Sequence, residues 1–304
     1  MTEQQRLNML KRPEGIVDIV LDTDAYNEID DQYAIAYMVR AKEKLNPVAI
    51  YAAPFFNQKS TSPEDGMLRS YDEILKITKL AGWDHPECVF HGSRTYLPDE
   101  HTPVVSPAAE DLVARAMNYT SENPLYVACI GAITNVASAL LMKPEIRERI
   151  VVLWLGGHAL HWDGSREFNL RQDVPAARVV LGSGVPLVLI PACGVNHVFT
   201  VTEHELRYWL VDKTPLTDYL AKNTIKAANS YAAGKPWSRV IWDVAVISWF
   251  MDMPQKYVLD RIMPCPVLDE QGCWTEDTLS HSICYVYGIY RDMPMERLFN
   301  HLLN

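Results

Sequence analysis

A chain of 304 residues, 48% hydrophobic and 22% charged, can bury a large core and has the composition of a folded protein. Its formal net charge of -10 argues against a nucleic-acid groove or an anionic membrane surface, leaving a metal or a neutral or cationic small molecule as the easier partner. No apolar run reaches the length of a membrane span and the six cysteines are scattered without metal-finger spacing, so a reducing cytoplasm is the expected setting.

Met1 to Glu14 reads as a loose leader. The apolar run Ile16 to Leu21, interrupted only by Asp18, is too short for a surface helix and predicts a buried parallel strand. It runs into Asp22-Thr23-Asp24-Ala25-Tyr26-Asn27-Glu28-Ile29-Asp30-Asp31, five acidic side chains within ten residues where a strand hands over to a helix. Like charges so crowded repel, and a cation, shared protons or strong hydrogen bonds are needed to hold them. The stretch contains no Cys or His, so a hard cation such as Ca2+ or Mg2+ suits it better than zinc. Asp30 and Asp31 are neighbours on a first helical turn, pointing roughly 100° apart, which divides them between an ion and a ligand. The plainer reading, that the pair only complements a helix N-terminus, leaves Asp22 and Asp24 unexplained.

Downstream, Gln32 to Lys44 predicts a helix and Val48 to Ala52 a strand, followed by a loop in which Asn57 is the polar residue able to meet a ligand. A helix over Glu64 to Leu80, a short strand near Glu87 to Phe90, an irregular stretch from His91 to Pro107 and a helix over Ala108 to Tyr119 come next. Leu125 to Ile130 and Ile150 to Leu155 are apolar strands, the first followed by Gly131 at the opening of a helix, the second by Gly156-Gly157 and a loop from His158 to Gly164. After a helix over Asp173 to Leu181 and a strand over Val185 to Ile190, helices are expected at Thr202 to Val211, with Thr202 and Glu205 at capping-box spacing, and at Pro215 to Ala233. Arg239 to Met251 carries Trp242 and Asp243; a strand at Ser282 to Tyr287 and a helix at Met293 to Leu303 close the chain.

Strands alternating with helices predict one α/β domain over residues 1–304, built on a mostly parallel, doubly wound (Rossmann-like) sheet flanked by helices. In such sheets ligands collect beyond the carboxyl ends of the strands, where Asp22, Asp24, Asn57, Ile130, Gly156 and Gly157 all fall.

Taken in order, Asp22-Thr23-Asp24, Asp30-Asp31, Cys129-Ile130-Gly131-Ala132-Ile133-Thr134-Asn135, Leu155-Gly156-Gly157, Glu167-Phe168-Asn169 and Trp242-Asp243 resemble the inosine-uridine preferring nucleoside hydrolases. The resemblance implies that fold and an N-ribosyl hydrolase with one tightly bound Ca2+, acting on a nucleoside or another N-riboside, as a homodimer or homotetramer. It implies Asp24, Asp31, Asp243 and the Ile130 carbonyl as metal ligands, with Asp24 also the general base and Asp22 supporting the loop. Asp30, Asn57, Glu167 and Asn169 would hold ribose hydroxyls. Trp242 stands where many relatives have His, as in the purine-preferring branch, and an indole stacked on a purine stabilises the departing base. Two departures stand out. Five residues separate Asp24 from Asp30 where relatives carry three, which offers Tyr26 or Glu28 to the pocket; and counting back from Glu167 puts His161, a proton-donor candidate, where the family has a sugar-binding Asn. His101 and His158 are weaker candidates. Two other classes stay open: a metal-dependent phosphohydrolase, needing Arg94, Arg166 or Arg171 near the site, and a binder of nucleoside or ribose without turnover.

Overall fold

The computed structural model describes residues 1–253 and 255–304. Among the described residues ten strands form in chain order: β1 Val17–Thr23, β2 Leu45–Ala52, β3 Val89–His91, β4 Leu125–Cys129, β5 Ile150–Leu155, β6 Leu187–Ile190, β7 Thr200–Val201, β8 Arg239–Val240, β9 Val258–Leu268 and β10 Trp274–Ile289. The helices are α1 Glu3–Met9, α2 Asp30–Arg40, α3 Pro63–Ala81, α4 Pro107–Ala116, α5 Thr134–Met142, α6 Phe168–Gln172, α7 Val174–Gly182, α8 Glu203–Trp209, α9 Pro215–Ala232, α10 Val244–Met251 and α11 Asp292–Leu303.

Eight strands make one sheet in the order β3-β2-β1-β4-β5-β6-β10-β9, and β7 and β8 form a separate antiparallel ribbon. Every neighbouring pair from β3 to β10 is parallel; only β9, at the edge, runs antiparallel to β10. This is the mostly parallel, doubly wound α/β architecture expected. Alternation along β1 sends Ile19 and Leu21 into the core on one face and Val20 into the core on the other, so both faces of the sheet are covered. Asp18, the exception in that strand, lies at the end away from the acidic loop, where Asn46 and the Tyr119 hydroxyl each donate to it at 2.7 Å.

Two expectations need correction. The first fourteen residues are no loose leader: Thr2 and Gln5 form a capping box that starts α1, Met9 and Leu10 are buried, and Arg12 donates to the carbonyls of Trp249 and Asp252 and pairs with Asp260 at 2.8 Å. The final sheet region is also larger than one short strand, because polar residues from Trp274 to Ser280 extend β10 and pair it with β9, an edge strand carrying Pro264 and Pro266. The capping box at Thr202 and Glu205 forms as its spacing predicts.

The order β3-β2-β1-β4-β5-β6 reverses direction between β1 and β4, which leaves a crevice beyond their carboxyl ends. Asp22 is in register with Cys129, so the acidic loop after β1 and the Ile130 turn after β4 leave the sheet side by side.

Candidate active site

A cavity of about 220 Å3 opens over that crevice, and Asp24, Asn27, Glu28, Asp30, Asp31, Ile130, His158, Glu167, Phe168, Asn169, Trp242 and Asp243 line most of it. Its floor is assembled from β1, the first turn of α2, the β4 turn, the loop after β5, the start of α6 and the residue before α10.

The carboxylates converge. Oxygens of Asp30, Asp31 and Asp243 lie within 4.8 Å of one another, so one atom of each adjacent Asp reaches the same point despite the angle between them. Asp31 accepts the Thr23 hydroxyl at 2.5 Å. Asp30 Oδ2 accepts the Trp242 N–H at 2.9 Å, which ties the acidic loop to a residue more than two hundred positions away. Neither aspartate makes a side-chain cap bond to α2, although both sit in its first turn.

All four are buried, and burial is the main force on their acidity. Asp24 and Asp243 are pushed well above the usual carboxylate range by desolvation and then by repulsion from neighbouring carboxylates, Asp30 to about 7 and Asp31 to about 6. Asp24 Oδ2 and Asp30 Oδ1 are buried without any partner in the protein. Buried, unpartnered oxygens on crowded carboxylates are what a cation would satisfy, and an all-oxygen donor set favours a hard one. The donors present therefore fit a hard divalent ion.

The polar groups beside the cluster are partly committed. Glu167 caps α6: its oxygens accept the N–H groups of Asn169, Leu170 and Gly157 at 2.8, 3.1 and 3.1 Å, and burial lifts its pKa to about 7. With roughly four lone-pair sites on a carboxylate, one stays open for a hydroxyl donor. The Asn169 amide donates to the Ile130 and Leu155 carbonyls at 3.2 and 3.0 Å, leaving its own oxygen free to accept. The Ile130 carbonyl keeps a second lone pair, and its N–H is bound by the Asp22 carbonyl at 2.8 Å. Gly131 allows this close packing, since a Cβ there would come within 3.0 Å of Ala53 and 3.3 Å of the Asp24 nitrogen.

Asp22 sits behind the cavity, where Asn135 donates to Oδ1 at 2.8 Å and Oδ2 has no partner. Asn135 also accepts from the N–H and hydroxyl of Ser93 at 2.7 and 2.9 Å. Asn135→Ala strips three buried groups of their partner at once and should destabilise the protein by about 2–4 kcal/mol. Urea denaturation measures this, and an unchanged midpoint would contradict it.

Two residues expected at the site lie elsewhere. Asn57 is not among the cavity-lining residues; its amide donates to Asn27 at 2.6 Å, and Asn27 is the one that lines. His161 is exposed outside the cavity, while His158 lines it. The long loop after Asp24 brings Glu28 to the cavity wall, where it pairs with Arg239; Tyr26 lies instead against Arg69, and Asp30 lines the cavity. Thr23 and Asn27 were not identified from the sequence, because nothing in their local spacing distinguishes them from ordinary strand-end and turn residues.

Residues 19–279 match the family model described as inosine-uridine preferring nucleoside hydrolase. The non-specific ribonucleoside hydrolase RihC of Salmonella agona is 25% identical over 276 residues, 86% of each chain. The fold is shared with the purine-preferring ribonucleoside hydrolase of Gardnerella vaginalis, with a TM-score of 0.74, 21% identity and coverage of 94% of this chain and 98% of that one. An inosine-guanosine nucleoside hydrolase has the same TM-score at 14% identity, with the same coverage. With the match spanning both the acidic loop after β1 and the Asp243 that meets it, the chain belongs to the inosine-uridine preferring nucleoside hydrolase family.

Proposed function

We propose that this protein hydrolyses the N-glycosidic bond of ribonucleosides, with a preference for purines, and that it uses one Ca2+ to do so. The observation that carries this reading is the meeting of Asp24, Asp30, Asp31 and Asp243 on the floor of a cavity whose wall includes Trp242. Asp24, Asp31, Asp243 and the Ile130 carbonyl would hold the cation, which when bound neutralises the cluster and makes water more acidic. Asp24, with its free buried oxygen, takes the proton of the attacking water. Breaking the bond builds positive charge on the ribose ring, and the ring of carboxylates stabilises that charge more in the transition state than in the ground state. Asp30 Oδ1, the open site on Glu167 and the Asn169 oxygen accept ribose hydroxyls; a deoxy sugar would leave them unpaired. Asn57 acts one step back, by fixing Asn27. All six cysteines are free, which supports a cytoplasmic setting, and a homodimer or homotetramer remains part of the proposal.

Among the described residues lining the cavity there is no Lys or Arg to neutralise a phosphate, which disfavours a phosphohydrolase. The test is a panel of purine and pyrimidine nucleosides assayed for free ribose, where release from purines is expected to be fastest and release of phosphate from sugar phosphates absent. Trp242→Ala should lower kcat/KM for inosine about 10-fold more than for uridine, the size of a lost stacking contact. Equal losses on both would remove stacking from the account.

A further inference from the structure

We propose that His158 serves the leaving base: its Nε2–H hydrogen-bonds an acceptor on the departing ring and stabilises the charge that develops there. The assignment rests on the hydrolase reading above and deepens it, since that reading leaves the base with Trp242 alone.

The geometry selects His158 over the other loop histidines. His161 and His101 are exposed, whereas His158 is half-buried in the cavity wall. The Cys193 N–H donates to His158 Nδ1 at 3.3 Å, so in the neutral ring the proton is carried by Nε2. Burial lowers the imidazole's pKa, which keeps the ring neutral at pH 7 and makes it a hydrogen-bond donor rather than a charged acid. A neutral donor also adds no charge that would oppose the positive ribose.

Its position is held by the backbone. The Trp274 indole donates to the His158 carbonyl at 3.0 Å, and Ala159 N–H donates to the Cys193 carbonyl at 2.9 Å. Gly157, at φ +72°, lets the chain turn into the site, and a Cβ there would meet Trp274 at 2.8 Å. The loop that supplies the Cys193 N–H also holds Trp242, whose carbonyl accepts from Asn196 Nδ2 at 2.5 Å. One short segment thus positions both side chains assigned to the base, while the sugar is left to the carboxylates.

In the reaction, the oxygen of water bonds to C1′ and its proton goes to Asp24. The C1′–N bond breaks with its electron pair going to the base, which accepts the His158 hydrogen bond and takes up a proton from solvent after release. A base whose ring nitrogens carry the charge needs such a donor; a 4-nitrophenolate leaving group, already stable as an anion, does not.

The experiment compares inosine and 4-nitrophenyl riboside as substrates for the wild-type protein, His158→Ala and His158→Gln, with thermal melts of all three. Removing one preorganised donor should lower kcat for inosine about 100-fold with KM changed less than about 3-fold, and leave 4-nitrophenyl riboside within about 3-fold of wild type. The Gln variant, which keeps an N–H donor, should recover about 10-fold on inosine. Equal losses on the two substrates, or no loss on inosine, would overturn the assignment while leaving the hydrolase reading standing. A wild-type protein inert towards both ribosides would overturn that reading and the assignment with it.

Discussion

Replacing Asp24 with Asn should lower kcat for ribose release by about 10⁴-fold, the upper range for loss of an acid-base group, while leaving the fold intact. The substitution is nearly isosteric, and the side chain it changes is fully buried beside Asp31, Asp30 and Glu167, whose charges oppose its own. Opposite effects on function and stability are therefore expected. Activity falls because the proton acceptor is gone, and at neutral pH the metal-free variant melts higher than the metal-free parent because a buried carboxyl that must take up a proton on folding is replaced by a neutral amide. Ribose-release kinetics read the first effect and a thermal melt in chelator the second. A variant that keeps activity within about 10-fold would take the base role away from Asp24.

The second large effect concerns the cation. Chelation should lower the melting temperature by about 5–8 °C at pH 8, as expected for loss of a ligand bound at about a hundred times its Kd, and by roughly half as much at pH 5.5. The sign follows from the raised pKa values. In the stripped protein, burial lifts Asp22, Asp30 and Glu167 to about 7 and Asp31 to about 6, all above the values near 4 that unfolded carboxyls have. Between those limits the folded state holds protons that the unfolded state has lost, so stability is full below about pH 4 and declines as pH rises through 7. The bound cation displaces the proton of Asp31 and its charge favours the ionised form of the carboxyls beside it, so the loaded protein should show less of this slope. Melting curves with and without chelator across pH 5 to 8 measure it; a metal-free protein more stable at pH 8 than at pH 5.5 would reverse the assigned electrostatics.

What could be read from the sequence was whatever is local. The apolar run into β1, the five crowded acids, and the strand-helix alternation all follow from nearest-neighbour chemistry, and they place the site beyond the carboxyl ends of the strands; that it falls between β1 and β4 depends on the strand order. Capping boxes are equally local, and Thr2 and Gln5 stand at the spacing that starts α1. The misplaced parts depend on contacts between distant segments. Asn57 looks like a ligand contact until Asn27 is seen in front of it. His158 and His161 are three residues apart, and their roles are separated by burial in the cavity wall and by the N–H of Cys193, from another strand's loop. The pairing of β9 with β10 was hidden because polar residues and two prolines break the alternation that marks a strand.

The most direct test is a calcium titration of chelator-stripped protein, following ribose release from inosine. If the acids at 24, 31 and 243 share one ion beside the sugar, turnover should be absent at the start, rise with added Ca2+, and level off at one equivalent per chain, with Asp243→Asn failing to respond. Full turnover in the stripped protein, or an Asp243→Asn variant that titrates like the parent, would contradict it.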